Sequence, residues 1–177
     1  MAGINVPIGP AIVEYGEGAD MKTFDITKGG IVFSSTSATQ DITVDQYGDT
    51  IVKSIYKGGS AQVVVPFALQ DLERIQAAIP NSEYVTDGTK EKVVVRSKAG
   101  YDMLANSKKL IIKPTSPDTT PNDWITIPLA GAKTDLEYTY NSDNERVANL
   151  TFMAYPDFED EGTLFILGDE TATATAG

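Results

Sequence analysis

The feature that most constrains the fold is a strand followed directly by the only convincing helix in the chain. Residues 60–67, with the sequence SAQVVVPF, are apolar and rich in β-branched side chains, which is typical of a strand buried on both faces. We expect one face to carry Ala61, Val63 and Val65, and the other face to carry Val64 and Phe67. The segment therefore predicts a strand that lies inside the core.

From residue 68 the hydrophobic period changes to that of a helix. The apolar side chains fall within an arc of about 120° when each residue turns about 100°; they are Ala68, Leu69, Leu72, Ile75 and Ile79. Pro80 ends the helix, because proline has no N–H to donate and biases the residue before it away from helical angles. We expect a core face made of Leu69, Leu72, Ile75 and Ile79, and this face must lie on a sheet.

The connection before this strand, residues 45–59, is long for a compact domain, in which the median connection has about 4–6 residues. It contains two turn-forming pairs, Gly48-Asp49 and Gly58-Gly59, around several apolar residues. The segment is therefore either a long hairpin or a loop that projects from the body.

Alternating or continuous apolar patterns predict strands through most of the remaining chain. Residues 10–15 predict a short strand, residues 23–26 and 31–34 predict a hairpin around Gly29-Gly30, and residues 39–45 predict a half-buried strand. Further strands are predicted at residues 83–85, 92–97, 109–113, 124–128 and 163–167. The clearest pattern is a closing hairpin, in which residues 136–140 pair with residues 148–154.

These patterns predict a mainly β protein with two packed antiparallel sheets, as a sandwich or a curled barrel, and one α-helix that covers one side. We expect one domain over residues 21–169, with the projecting segment at residues 45–59. Residues 1–20 are rich in Gly and Pro and predict an extended arm, while residues 170–177 predict a disordered tail of low complexity.

The composition excludes several kinds of chemistry. The 177 residues include no cysteine and no histidine, which removes thiol chemistry, the commonest general base and the commonest zinc ligand. With 25 acids against 14 bases, the formal net charge is −11, so the chain should neither hold nucleic acid by ion pairing nor bind an anionic membrane. No signal peptide or membrane span is evident, and we expect the protein to act, or to be assembled, in the cytoplasm.

No motif in the sequence points to catalysis, a metal or a cofactor. There is no phosphate-binding glycine loop, and a Ser-His-Asp arrangement is impossible without histidine. We therefore expect no enzymatic activity. One alternative is a binding module for carbohydrate or a host surface, because several tyrosines lie near predicted turns: Tyr47, Tyr56, Tyr84, Tyr101 and Tyr155.

Three segments resemble the major tail tube proteins of long-tailed bacteriophages. The first is ITVDQYGDTIVKSIYKGGSAQVVVPFALQDLERIQAAIP, residues 42–80, in which a strand leads through a long projecting loop to a strand and the single helix. The others are KLIIKP at residues 109–114 and NERVANLTFMAYPDFEDEGTLFILGD at residues 144–169. The resemblance spans most of residues 23–169 and leaves open another tail or neck component.

The resemblance implies a virion protein, assembled in the host cytoplasm, whose six subunits form a ring and whose rings stack into a tail tube. DNA passes to the host through the acidic lumen without specific binding, and tape measure, tail terminator and baseplate proteins are the implied partners. The implied contacts with the next ring come from the projecting loop, at Gly48, Asp49, Ile51, Ile55, Tyr56 and Lys57. The implied contacts of the N-terminal arm come from Ile4, Val6 and Ile8.

Overall fold

The computed structural model describes residues 9–174. Strands account for 46% of residues and helices for 9%, which confirms a mainly β protein. The strands are β1 Ala11–Tyr15, β2 Lys22–Phe24, β3 Val32–Thr43, β4 Ile51–Phe67, β5 Ser82–Asp87, β6 Lys90–Val95, β7 Lys108–Pro114, β8 Ile125–Ala132, β9 Ala148–Tyr155 and β10 Ile166–Leu167, and the helix α1 is Leu72–Ala77. The arm residues Ile4, Val6 and Ile8 lie outside the described residues.

Eight of the ten strands belong to one antiparallel sheet, rather than to two sheets of similar size. Its order is β2-β1-β7-β8-β9-β4-β3, and β10 pairs with β8. The remaining strands, β5 and β6, form a separate two-stranded ribbon, which packs against α1. The expected strand at residues 10–15 is β1, and it lies between β2 and β7 inside the large sheet.

The large sheet curls until its two sides meet. After β2, the chain passes beside the end of β4, where Thr27 bridges Phe67. Lys28 N donates to Pro66 O over 3.0 Å, and Ala68 N donates to Ile26 O over 3.0 Å. The chain after β2 is thereby joined to the end of β4 across the core.

The core lies on the inner face of this curled sheet. Phe24 packs against Phe67 with ring centroids 5.2 Å apart, and Tyr15 packs against Phe152 at 4.6 Å. On β4, the buried side chains are Ala61, Val63, Val65 and Phe67. The expectation that Phe67 faces away from Val65 is wrong, because side chains alternate with a period of two and odd-numbered residues share a face.

The helix is shorter than the apolar period predicts. It begins after Asp71, whose side chain accepts a hydrogen bond from Arg74 N over 3.1 Å and so caps the N-terminus. Leu69 precedes this cap and is exposed, so its assignment to the core helix is wrong. Ile75 is buried, Leu72 is half-buried, and Ile79 lies beyond the helix and packs against the core.

Two predicted hairpins are wrong because their strands pair elsewhere. Residues 23–26 and 31–34 do not pair, since β2 pairs with β1 and β3 pairs with β4. Residues 136–140 form no strand, and β9 pairs instead with β4 over residues 148–153 and with β8 over residues 152–155. The strand expected at residues 163–167 is reduced to the two residues of β10.

Other local predictions agree with the structure. The Asp87-Gly88 turn joins β5 to β6, and the segment KLIIK lies in β7.

In the segment expected to be disordered, Glu170 pairs with Lys109 over 2.6 Å. The six residues of α1 are too few to cross a bilayer, and no other helix among residues 9–174 is long and apolar enough to do so.

Candidate functional site

The segment that sequence analysis expected to project is the outer half of a long β-hairpin. β3 has 12 residues and β4 has 17, and they pair from Val32↔Val64 to Thr43↔Ile51. β9 pairs with β4 only from Gln62 to Phe67, so residues 51–60 of β4 pair with β3 alone. Since β3 is the last strand of the sheet, both backbone edges of the outer hairpin are unpaired within the described chain.

The local sequence shapes both the tip and the bend of this hairpin. The tip contains a 3₁₀ turn, Asp45–Tyr47, followed by Gly48 at φ 60°. The pairing register shifts between Ala38 and Thr39, where the strand opposite gains Lys57 as an extra residue beside Gly58 at φ 125°. An extra residue of this kind is a β-bulge, which bends a strand and increases its twist.

The outer hairpin presents large apolar side chains to solvent. The exposed fractions lie between 37% and 68% for Val44, Tyr47, Ile51, Val52, Ile55 and Tyr56. An isolated two-stranded hairpin is marginally stable in water, and a cluster of exposed apolar side chains is typical of an interaction surface. The hairpin therefore has the properties of a contact element.

Both faces of the outer hairpin carry apolar groups. The pair Thr39↔Tyr56 continues the face that is buried in the body, while the pair Gln40↔Ile55 lies on the opposite face. Tyr56 covers Gly59, since a Cβ on this glycine would lie 2.5 Å from the tyrosine Oη. A side chain at this position would have to displace the end of the Tyr56 ring. A partner could contact either face of the hairpin.

The predicted contact residues of the loop all lie on this element. Gly48, Asp49, Ile51, Ile55, Tyr56 and Lys57 are all exposed. The prediction did not include Val44, Tyr47 and Val52, although they are exposed apolar residues of the same segment. It also made residues 39–45 a half-buried strand, and β3 does include this segment as far as Thr43, but only Ile42 in it is half-buried.

A second feature is a cavity of about 410 Å³ beside α1. Its lining includes the aromatic residues Tyr15, Tyr84 and Tyr101 and polar residues such as Asp20, Gln76 and Asn106. Burial, with a smaller contribution from the neighbouring Tyr101, raises the pKa of Tyr15. The structure thus brings Tyr84 and Tyr101 together, whereas Tyr47 and Tyr56 lie on the hairpin.

The described residues offer no cluster of three or more acidic side chains placed to hold a metal ion. A scan against protein-family models finds no match to this chain, and a search of curated proteins finds none either. The outer hairpin and the cavity beside α1 are therefore interpreted from their own geometry.

Proposed function

We propose that this chain is a structural virion protein that assembles into stacked hexameric rings, forming a phage tail tube with a negatively charged channel for DNA. The observation that carries the proposal is the outer hairpin, whose edges are unpaired within the described chain and whose apolar side chains face solvent. The resemblance to tail tube proteins agrees with this geometry, because it assigns the contact with the next ring to the same residues.

A neighbouring subunit would cover the exposed apolar side chains of the hairpin and pair its free strand edges. Each large apolar side chain gains about 1.5–3 kcal/mol when it is fully buried. Pairing of the free strand edges satisfies their N–H and C=O groups and removes a site of uncontrolled association. A second copy of the chain is always present at assembly, which makes it the partner that this proposal requires.

The charge of the chain supports the proposed channel. The net charge of −11 gives a surface that does not attract phosphate by ion pairing, so DNA would pass through a lumen of such subunits without being retained. The proposed partners at the ends and inside the tube are the tape measure, tail terminator and baseplate proteins that the resemblance implies.

The test shortens the hairpin without disturbing the body. Asp41 and Ser54 are directly paired, so replacement of residues 42–53 by Asn-Gly creates a two-residue turn that preserves their register. We expect the shortened protein to retain the circular dichroism spectrum and cooperative unfolding of the body but to form no tubes in negative-stain electron microscopy. The wild-type protein should form rings or tubes with a central hole.

A second variant separates loss of length from loss of apolar contacts. The triple variant Ile51→Thr, Ile55→Thr and Tyr56→Thr keeps the hairpin length and its β-propensity, and we expect it to lose tubes as well. The control is Leu167→Thr, which removes an exposed apolar side chain elsewhere and should leave assembly unchanged. Tubes of normal length from the shortened protein would contradict the proposal.

The second candidate function is a binding module for carbohydrate, and the cavity beside α1 favours it. Tyr84 and Tyr101 can stack on a sugar ring, while Asp20, Gln76 and Asn106 can hydrogen-bond to its hydroxyl groups. Under this alternative, the protein binds members of a glycan array, and Tyr84→Ala or Tyr101→Ala abolishes binding. Absence of glycan binding by the wild-type protein would exclude it.

A further inference from the structure

A well-ordered turn presents the most exposed large apolar side chain of the described residues. Phe158 is 79% exposed. The turn around it is held by Gly162 N donating to Asp157 O over 2.7 Å and by Glu159 N donating to Asp157 Oδ1 over 3.0 Å. Asp157 also bridges Thr163. The turn is therefore stabilised by its own hydrogen bonds, and it carries an exposed aromatic side chain of the kind that serves as an anchor at interfaces.

Four carboxylates lie beside Phe158 in the sequence, at Asp157, Glu159, Asp160 and Glu161. None of them takes part in the ion pairs formed between described residues. An apolar ring within a group of unpaired negative charges is complementary to an apolar surface flanked by positive charges.

A surface of that kind lies on the ribbon formed by β5 and β6. Val85 pairs with Lys92, and Asp87 pairs with Lys90, so Val85, Asp87 and both lysines lie on one face, and together they carry one more positive than negative charge. They line a shallow cavity of about 380 Å³ together with Glu91. Both lysines are exposed, and neither appears in an ion pair with another residue between 9 and 174.

We propose that the Phe158 turn of one copy docks on the Val85–Lys90–Lys92 face of a second copy. The ring would cover Val85, and the carboxylates beside it would meet the two ammonium groups. Because the two surfaces are different, the contact is heterologous, and its repetition from copy to copy generates a closed ring or an open filament. This inference rests on the proposed self-assembly for its partner, and it uses a surface other than the outer hairpin.

The test uses full-length protein and exchanges the charges of the two surfaces. One variant carries Glu159→Lys and Asp160→Lys, and the other carries Lys90→Glu and Lys92→Glu. We expect each to self-associate about tenfold or more weakly than wild type in sedimentation velocity, and Phe158→Ala to do the same. An equimolar mixture of the two charge variants should associate again, because each altered surface then meets an oppositely charged one.

The control carries Glu17→Lys and Asp118→Lys, which changes the net charge by the same amount at exposed acids that form no ion pair within residues 9–174. It should associate at least as strongly as wild type, since it lowers the overall repulsion. Association of Phe158→Ala equal to that of wild type, a mixture that stays dissociated, or a wild-type protein that is monomeric at every concentration would each overturn the inference.

Electron microscopy of the same samples distinguishes this contact from the proposed function. Normal tubes from Phe158→Ala would overturn the contact and leave the tail tube proposal intact. A wild-type protein that forms rings sensitive to the charge exchange, but never tubes, would support the contact and contradict the tail tube.

Discussion

At the scale of single residues, Tyr15 joins the core to the backbone of the sheet. Its ring is 2% exposed and packs against Phe152, and its Oη donates a hydrogen bond to Ala130 O over 3.1 Å. Burial disfavours the charged phenolate and so raises the pKa of Tyr15 above its ordinary value of 10.0. The folded state therefore favours the neutral phenol.

We predict that Tyr15→Phe destabilises the protein at neutral pH but not at alkaline pH. Loss of the hydrogen bond costs about 1 kcal/mol at pH 7. Because the pKa of Tyr15 is raised in the folded protein, the neutral phenol contributes its full stabilisation below pH 10. Above this pH, the free energy of unfolding of the wild type falls by up to about 1.4 kcal/mol per pH unit. The measurement is urea denaturation of both proteins at pH 7 and pH 11.

The difference between wild type and Tyr15→Phe should shrink or reverse at pH 11. The control is Tyr140→Phe, because Tyr140 is exposed and its replacement should not alter the pH dependence. An equal difference at both pH values would show that the buried phenol does not control alkaline stability.

At the scale of elements, the short helix α1 depends on its cap. Asp71 Oδ1 accepts from Arg74 N over 3.1 Å, and Asp71 Oδ2 pairs with Arg74 Nε over 3.1 Å. Arg74 Nη1 also reaches Asp25 Oδ1 over 2.9 Å, beyond the end of β2. Because α1 contacts β2 as well as the β5–β6 ribbon, the cap also affects how the ribbon is attached to the body.

We predict that Asp71→Ala lowers the free energy of unfolding by about 1 kcal/mol, which is the usual cost of losing an N-cap side chain. Asp71→Asn is the matched control, because it keeps a capping oxygen and loses only a partly exposed ion pair worth about 0–1 kcal/mol. Chemical denaturation measures both variants. If Asp71→Asn is as destabilised as Asp71→Ala, the ion pair rather than the cap holds the helix.

At the scale of the whole molecule, the contacts between residues 26–28 and the end of β4 cover one side of the core. These contacts depend on Lys28 N, which donates to Pro66 O, and on Ala68 N, which donates to Ile26 O. The side chain of Lys28 separately forms an ion pair with Glu145, and this hydrogen bond lowers the pKa of Glu145. One residue thus takes part in both a backbone and a side-chain contact.

We predict that Lys28→Pro, which removes the N–H, destabilises the protein by about 1–3 kcal/mol through the unpaired Pro66 carbonyl group. Lys28→Ala keeps the N–H and loses only the exposed ion pair, so it should remain close to wild type. Thermal unfolding and amide hydrogen exchange at Ile26, Thr27, Phe67 and Ala68 measure the effect. Similar behaviour of the two variants would mean that these contacts add little stability.

Local patterns predicted much of the fold, but not which strands pair. Alternating or continuous apolar patterns identified β1, β7, β9 and the inner half of β4, because such patterns reflect what each strand buries. They failed at residues 136–140, whose alternation is as regular as that of β9, because a local pattern does not show which strands pair, and β9 pairs with β4 and β8. Helix periodicity likewise assigned Leu69 to the helix, because a hydrophobic period does not show that the helix begins only after the cap at Asp71.

The candidate site was predicted in part. The length and turn pairs of residues 45–59 pointed to a projecting element, and the structure makes this element the outer hairpin. The exposed Phe158 was not singled out, although a phenylalanine within the acidic run DFEDE is a visible signal. Phe158 is exposed because it lies in the turn between Asp157 and Thr163, and a local hydrophobic pattern does not reveal this turn.

The free edges of the outer hairpin also expose the unpartnered protein to aggregation. An extended ribbon with free edges can nucleate off-pathway fibrils, and charged side chains along such an edge act as gatekeepers against them. The hairpin carries exposed charges at Asp41, Asp45, Asp49, Lys53 and Lys57. Under the proposed self-assembly, subunits would have to pair these edges before fibrils form, and the speed of assembly, as much as its equilibrium, would determine the yield of correct product.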